Sequence, residues 1–380
     1  MSRLFPQDLL KADKVERSQY FQGVIVNHGK LSEVIQKVYE LIINPSSQSS
    51  IITVIGPTGV GKSTLIPRIE KLLIERSLED KNFHPGRIPV VSLEAASPSS
   101  GNFDWKDYHY RALVAMEEPL IDYKIDYSTQ EVYRDVNGKV KVRSTASTNR
   151  LRHAQENALQ HRQPYAVILD EAQHIQKMSS GRRLQDNMDC LKSIANITTI
   201  PHVLIGTYEL LMMRNLSGQL SRRNQEVHFP RYKANSESDQ KTFRAALQAL
   251  TFYYMPMAEE NNLDSEWKYC YERSLGCVGI LKDWLSRALN YALDEGSEKI
   301  TKHHLENTAL TVAQCQKIVI EIIEGEKLLE GSPSEVDKLR TLLELDEESV
   351  KKLEKKPDSN KRGRRIGTPD PVRRTSHSDE

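Results

Sequence analysis

Nine consecutive residues carry the clearest chemistry in this chain: Gly56-Pro57-Thr58-Gly59-Val60-Gly61-Lys62-Ser63-Thr64. They fit G-x-x-x-x-G-K-[ST], with an apolar run before them and an amphipathic run after them, as a phosphate-binding loop requires. The three glycines let the backbone curl so that successive N–H groups converge on phosphate oxygens. The helix that follows adds the positive end of its dipole. In this pattern Lys62 reaches the β- and γ-phosphates, the Ser63 hydroxyl is placed for Mg²⁺, and Thr64 contacts the α-phosphate. The expected ligands are ATP and Mg²⁺. Pro67 sits early in the same helix, where a local kink is expected without loss of the phosphate site.

A second element completes that chemistry. Ala166-Val-Ile-Leu-Asp170-Glu171-Ala-Gln173 is an apolar strand that ends in two adjacent carboxylates. At the C-terminal end of a strand the chain begins to turn, so both groups approach the edge where open α/β sheets bind ligand. Asp170 is expected to hold Mg²⁺ through water, and Glu171 to polarise an attacking water as general base. A small-molecule kinase does not need a glutamate directly after its metal-binding aspartate. Hydrolysis by water does, so the pair points to an ATPase.

The elements that position these groups follow from periodicity. Leu31, Val34, Ile35, Val38, Leu41 and Ile42 mark an amphipathic helix. Ile51–Ile55 is β-branched and apolar on both parities, as in a strand buried on both faces of a parallel sheet. The runs at 88–93, 165–169 and 202–206 resemble it, with helical patterns at 62–77, 104–117, 149–161 and 183–196 between them. Alternation of this kind predicts an α/β fold with a parallel sheet and right-handed crossovers. After about residue 235 only helical patterns remain, at 239–254, 265–275, 279–294 and 301–323. The expected organisation is an N-terminal arm (1–22), an α/β core (23–234) with an insert (121–148), a helical lid (235–323), an acidic helical segment (324–354) and a disordered basic tail (355–380). Residues 324–354 hold 10 acidic and 5 basic side chains, whereas 351–380 hold 10 basic and 5 acidic, too polar a stretch to offset chain entropy by burial.

Composition narrows the class. The 380 residues carry 53 Lys and Arg against 52 Asp and Glu, which excludes a wholly basic nucleic-acid coat and an acidic solvating chain. No apolar stretch approaches the roughly 20 residues of a membrane helix, and the N-terminus lacks the apolar core of a signal peptide. Cys190, Cys270, Cys277 and Cys315 show no C-x-x-C pairing, so core thiols in a reducing compartment are expected. The expectation is a soluble cytoplasmic protein with no membrane partner.

Within the insert, Glu131-Val-Tyr-Arg134-Asp-Val, Asn137-Gly138 and Lys139-Val-Lys141-Val-Arg143 read as a β-hairpin, because Asn-Gly suits a two-residue turn. That turn makes Val136 face Lys139, Arg134 face Lys141, and Val132 face Arg143. One face then gathers Arg134, Lys139, Lys141 and Arg143. Like charges opposite one another destabilise an isolated hairpin, so this face wants an anionic partner. Duplex DNA is the expected one, with hydroxyls such as Thr145 contacting phosphate. The bland alternative is an exposed edge hairpin protected by its lysines. Upstream, Trp105-Lys106-Asp-Tyr108-His-Tyr110 reads mainly as core and rim, with Lys106 its best candidate for DNA. The tail motifs Lys361-Arg-Gly-Arg-Arg and Arg373-Arg suit solvated disorder, a DNA arm or a partner-binding peptide.

Taken together, GPTGVGKST, VILDEAQHI, a strand ending in Gly206-Thr207, Ser221-Arg-Arg-Asn, and Gly276-x-x-Gly279-x-x-Lys282 over residues 20–310 resemble an AAA+ ATPase. More narrowly they resemble the TniB/TnsC family of transposition regulators, with the bacteriophage Mu B protein and origin-recognition ATPases as more distant relatives. The resemblance implies an AAA+ core with a β-hairpin insert and a small helical lid. It implies that Thr207 is a polar sensor, that Arg222 or Arg223 reaches the γ-phosphate held by a neighbouring subunit, and that Lys282 is the lid's basic residue. Lysine stands there where the family pattern has arginine, a point charge in place of a bidentate fork. It implies a ring or helical filament of self-associated subunits on duplex DNA, disassembled by hydrolysis. Transposase subunits and a target-selection adaptor are the implied further partners, in the bacterial cytosol at the nucleoid. A helicase-loader type motor, and a signalling or secretion ATPase acting without DNA, are the rival classes.

Overall fold

The computed structural model describes residues 3–45, 51–80, 84–97, 103–121, 132–134, 140–142, 144–176, 182–215, 224–330, 333–343 and 345. Five parallel strands form the sheet in the order β2-β5-β6-β1-β7, with β1 Ile51–Ile55, β2 Val90–Glu94, β5 Ala166–Asp170, β6 His202–Gly206 and β7 Asn224–His228. Two short strands, β3 Val132–Arg134 and β4 Val140–Val142, pair separately. The helices are α1 Lys14–Gly23, α2 Gly29–Ile43, α3 Lys62–Glu79, α4 Trp105–Ala115, α5 Ser144–Arg162 and α6 Arg182–Thr198. A helical region follows with α7 Glu237–Gln248, α8 Trp267–Ser274, α9 Val278–Asp294, α10 Lys302–Thr308, α11 Val312–Glu330 and α12 Pro333–Leu342.

The central strands β5, β6 and β1 are apolar on both parities because helices cover both faces of the sheet. Ile51, Ile55, Val167, Leu169 and Leu204 pack with Leu113 of α4, Leu159 of α5 and Leu191 of α6. Their sequence neighbours Ile52, Val54, Ile168, Val203 and Ile205 point the other way, onto Val38 of α2 and Leu65 and Ile69 of α3. The fold is α/β, a five-stranded parallel sheet flanked by helices with a helical region after it. A third core, around Trp284, Leu285, Phe243 and Leu281, belongs to that helical region.

The chain divides into two compact units, residues 1–329 and 330–380, the first holding the α/β sheet and the helices through nearly all of α11. The second unit is described only through α12 and its immediate flanks. Residues 346–380, with both basic tail motifs, lie outside the described residues. No helix among the described residues is long and apolar enough to cross a membrane. The four cysteines are free, three of them buried.

The structure adds two elements to the sequence reading and corrects two local expectations. A fifth strand, β7, lies at the sheet edge beside β1, where Thr53 Oγ1 donates to Asn224 Oδ1 at 2.6 Å. The helical pattern at 301–323 is two helices, because Thr311 and Gln314 form a reciprocal cap: the Thr311 N–H donates to Gln314 Oε1 at 2.9 Å, and Thr311 Oγ1 accepts the Gln314 N–H at 3.3 Å. The N-terminal arm contains α1, capped by Asp13 on the Glu16 N–H and anchored by Phe21 in the helical core. Finally, β3 and β4 pair Val132 with Val142, Tyr133 with Lys141 and Arg134 with Val140. That register leaves an odd number of residues between Arg134 and Val140, whereas a two-residue turn needs an even number. Arg134 and Lys141, opposite each other in the expected register, therefore occupy positions of opposite parity. Lys139 and Arg143 lie outside the described residues. The helix α3 runs through Pro67 without interruption.

Candidate nucleotide site

Strand order decides what can meet. In the sheet β6 lies between β5 and β1, and all three are parallel. Their C-terminal ends share one edge, so Asp170 and Glu171 after β5, Thr207 after β6, and the phosphate loop after β1 stand side by side. The Gly56 N–H donates to the Gly206 carbonyl at 3.2 Å, fastening the start of the loop to the end of β6.

The loop has the shape its motif requires. Gly59 and Gly61 have φ values of +73° and +114°, a region that L side chains rarely adopt. The N–H groups of Gly59, Gly61, Lys62 and Ser63 have no acceptor among the described residues, which leaves donors at the N-terminus of α3 for an anion. Pro57 and Val60 are buried on the core side of the loop, whereas Thr58 is exposed. Thr64 Oγ1 donates to the Gly61 carbonyl at 2.6 Å and stiffens the turn.

Lys62 is 8% exposed, and its ammonium donates to the Gly56 and Pro57 carbonyls at 3.0 and 2.8 Å. Burial pushes its pKa down, and the charges of Glu171 and Asp170 oppose that shift. A buried ammonium held only by neutral carbonyls and two nearby carboxylates is poised for a stronger anion. Burial raises the Asp170 pKa, while the Glu171 N–H, donating to Asp170 Oδ1 at 2.8 Å, and the Lys62 charge lower it. Ser63 is exposed, and its hydroxyl has no hydrogen-bond partner among the described residues. A hydroxyl and a carboxylate are hard oxygen donors, the set that Mg²⁺ takes together with water and phosphate.

Sequence reasoning missed three features of this edge. Gln173 joins Glu171 to Thr207: its amide nitrogen donates to Glu171 Oε2 and its Oε1 accepts the Thr207 N–H. The helical region touches the phosphate loop directly, where the Ile280 N–H at the start of α9 donates to the Gly59 carbonyl at 3.0 Å. A Cβ on Gly279 would stand 2.3 Å from that same carbonyl, so the glycine is what permits the approach. Tyr208, next to Thr207, bonds His228 at 3.0 Å and packs so closely on Gly325 of α11 that a Cβ there would meet its ring at 2.1 Å. The DEAQ tetrad and the G-x-x-G spacing were the available signals for the first two.

Other expected site residues fall elsewhere. The Lys282 ammonium donates to the Gln22 carbonyl at 2.6 Å, which ties α9 to the end of α1. Lys106 is exposed on the first turn of α4, its N–H accepted by Asp104 at 2.9 Å. Its neighbour Trp105 packs edge-on against Phe103 and Tyr108 and donates to Asn187 Oδ1 at 2.9 Å, so that aromatic cluster is core. Arg222 and Arg223 lie outside the described residues, and only the backbone of Thr145, in α5, is described.

Residues 44–213 match the family described as AAA domain, which spans the phosphate loop, the Asp170–Glu171 pair and Thr207. That stretch of the chain is similar to the AAA domain family. Among solved structures it is similar to the ORC2 protein of Aeropyrum pernix in its ADPNP–ADP complexes, at 13% identity over 77% of this chain and 72% of that one, with a TM-score of 0.50. Cdc6p from Pyrobaculum aerophilum matches at 12% identity over 81% of this chain and 71% of that one, with a TM-score of 0.48. The ORC1 protein of Aeropyrum pernix in complex with DNA matches at 15% identity, over 80% and 68%, with a TM-score of 0.47. At these identities the likeness concerns the fold alone. No curated protein matches the chain.

Proposed function

We propose that this protein is an ATP-hydrolysing, DNA-binding AAA+ regulator of transposition that assembles on duplex DNA and is dismantled by hydrolysis. The observation that carries the hydrolytic part is the shared strand edge: buried Lys62, the Asp170–Glu171 pair and Thr207 stand at the ends of three neighbouring strands. The narrower role rests on the resemblance to TniB/TnsC regulators.

In this reading the phosphate-loop N–H groups and Lys62 receive the β- and γ-phosphates, exchanging the Gly56 and Pro57 carbonyls for phosphate oxygens. Ser63 and Asp170 would hold Mg²⁺, which when bound neutralises charge between the phosphates. Glu171 takes the proton from the attacking water, and Thr207 meets the transferred phosphoryl group from the end of β6. Arg222 or Arg223 of a neighbouring subunit supplies the remaining positive charge, which makes turnover depend on assembly. Lys139, Lys141 and Arg143 supply phosphate contacts to DNA; Arg134, at the other parity in the observed register, contributes less. Transposase subunits and a target-selection adaptor are the proposed recruits.

Electron microscopy of the protein with duplex DNA, in a non-hydrolysable ATP analogue and in ADP, tests this reading. Rings or filaments on DNA in the analogue and their loss in ADP are expected. Assembly without DNA dependence would favour a signalling or secretion ATPase, and turnover coupled to strand separation would favour a motor.

A further inference from the structure

One carboxamide touches both elements that a hydrolytic site must keep in register. Gln173 lies in the short turn of helix after β5 and is 5% exposed. Its amide nitrogen donates to Glu171 Oε2, and its Oε1 accepts the Thr207 N–H at 3.3 Å. Glycine at position 206 makes room for it: a Cβ there would stand 2.3 Å from Gln173 Oε1.

The rest of the turn is pinned as well. Glu171 has φ +49°, an uncommon backbone for a residue with a side chain. Its N–H donates to Asp170 Oδ1 at 2.8 Å, and its carbonyl accepts the His174 N–H at 2.9 Å. On the β2 side, His174 Nδ1 lies 2.8 Å from the Ala95 carbonyl, and the Ala95 N–H donates to the Asp170 carbonyl at 2.9 Å. His174 thus fixes the turn toward β2, and Gln173 fixes it toward β6. Thr207 Oγ1 is buried with no hydrogen-bond partner among the described residues. A buried hydroxyl left unpaired beside a phosphate loop calls for an explanation in function.

We propose that Gln173 is a positioning residue for the hydrolytic reaction, holding the Glu171 carboxylate with its amide nitrogen and registering it against Thr207 with its amide oxygen. The proposal rests on the hydrolytic reading above. A carboxamide carries a donor and an acceptor on one rigid plane. Glutamate at 173 would keep the acceptor for Thr207 but set a carboxylate against Glu171. Methionine would keep length and burial but neither hydrogen bond. A shift of the end of β6, where Thr207 meets the γ-phosphate, is transmitted to Glu171 through this single side chain.

The test measures kcat, KM and nucleotide affinity for Gln173→Ala, Gln173→Met and Gln173→Glu, each in the wild-type and the Glu171→Gln backgrounds. In the wild-type background kcat falls about ten- to a hundredfold, the range for a lost hydrogen bond to a charged group, while KM and nucleotide affinity stay within about twofold. In the Glu171→Gln background the same substitutions change residual turnover by less than about twofold, because the group they position is already inactive. Gln173→Glu loses at least as much kcat as Gln173→Met. Where Gln173→Ala fails to fold, Gln173→Met carries the comparison. Wild-type kcat in Gln173→Met, or an equal loss in both backgrounds, overturns the proposal. A wild-type chain that hydrolyses no ATP overturns the hydrolytic reading and this proposal with it; wild-type turnover that no Gln173 variant alters overturns this proposal alone.

Discussion

The Ile280 N–H donates to the Gly59 carbonyl at 3.0 Å, so the helical region is fastened by its backbone to the turn that would hold phosphate. The Ile280 side chain also fills the space beside Gly59, where an added Cβ would meet it at 2.4 Å. Movement of α9 and the shape of the phosphate loop are therefore linked without any charged side chain.

Gly279→Ala tests that link. The new Cβ would stand 2.3 Å from the Gly59 carbonyl, a backbone atom with little room to retreat. The substitution should destabilise the protein by about 1–3 kcal/mol, as overpacking does, and weaken nucleotide binding. Thermal unfolding and nucleotide titration read the two effects. Unchanged nucleotide affinity in a destabilised protein would separate the helical region from the loop.

The hairpin register makes a graded forecast. Arg134 pairs with Val140 and Lys141 with Tyr133, so the two basic residues have opposite parity. Changing Lys139, Lys141 and Arg143 together to Ala should weaken duplex binding alike for all sequences. It should flatten the slope of log K against log salt by about 2–3 units per protomer, near 0.9 for each lost phosphate contact. Arg134→Ala should flatten it by much less. Equal slopes for Arg134→Ala and Lys141→Ala, measured by salt titration, would restore a single basic face.

Acid should destabilise the fold over a defined window. His28, His109 and His202 are buried, and burial pushes each pKa from 6.5 down to about 4. Between these values the unfolded chain binds protons that the folded chain refuses, so stability is full above pH 6.5 and falls as pH drops toward about 4. Denaturant midpoints at pH 7 and pH 5 measure this. A higher midpoint at pH 5 would contradict it.

Arg222→Ala combined with Arg223→Ala should abolish ATP-dependent assembly and leave a folded monomer that still binds nucleotide. Sedimentation in ATP analogue reads assembly, and normal assembly with normal turnover would place the trans-acting arginine elsewhere.

The sheet core was legible because β1, β5 and β6 are apolar runs, as strands covered on both faces must be, and the edge strand β2 still carries Val90, Val91 and Leu93. The phosphate loop and the Asp170–Glu171 pair were legible because fixed spacing between two such elements is itself the signal. The edge strand β7 was hidden: Asn-Gln-Glu-Val-His has one buried side chain, Val227, since an edge needs no apolar face on both sides. The break at Thr311 was hidden by continuous helical periodicity on either side of a local cap. The hairpin register was misplaced because Asn137-Gly138 favours a turn that the pairing of Arg134 with Val140 does not allow. Gln173 stood in plain view beside Glu171, but its role depends on Thr207 at the end of another strand, a contact that no local pattern encodes.

Hydrolysis at the Asp170–Glu171 edge is proposed to control assembly on DNA, and Glu171→Gln with ATP and duplex DNA is the decisive experiment. Loss of the general base should slow turnover by about 10²–10⁴-fold while nucleotide stays bound. The DNA-bound assembly should then persist under ATP where the wild-type assembly decays, and Lys62→Ala should fail to bind nucleotide at all. Turnover by Glu171→Gln at the wild-type rate, with assembly that decays as before, would contradict the account.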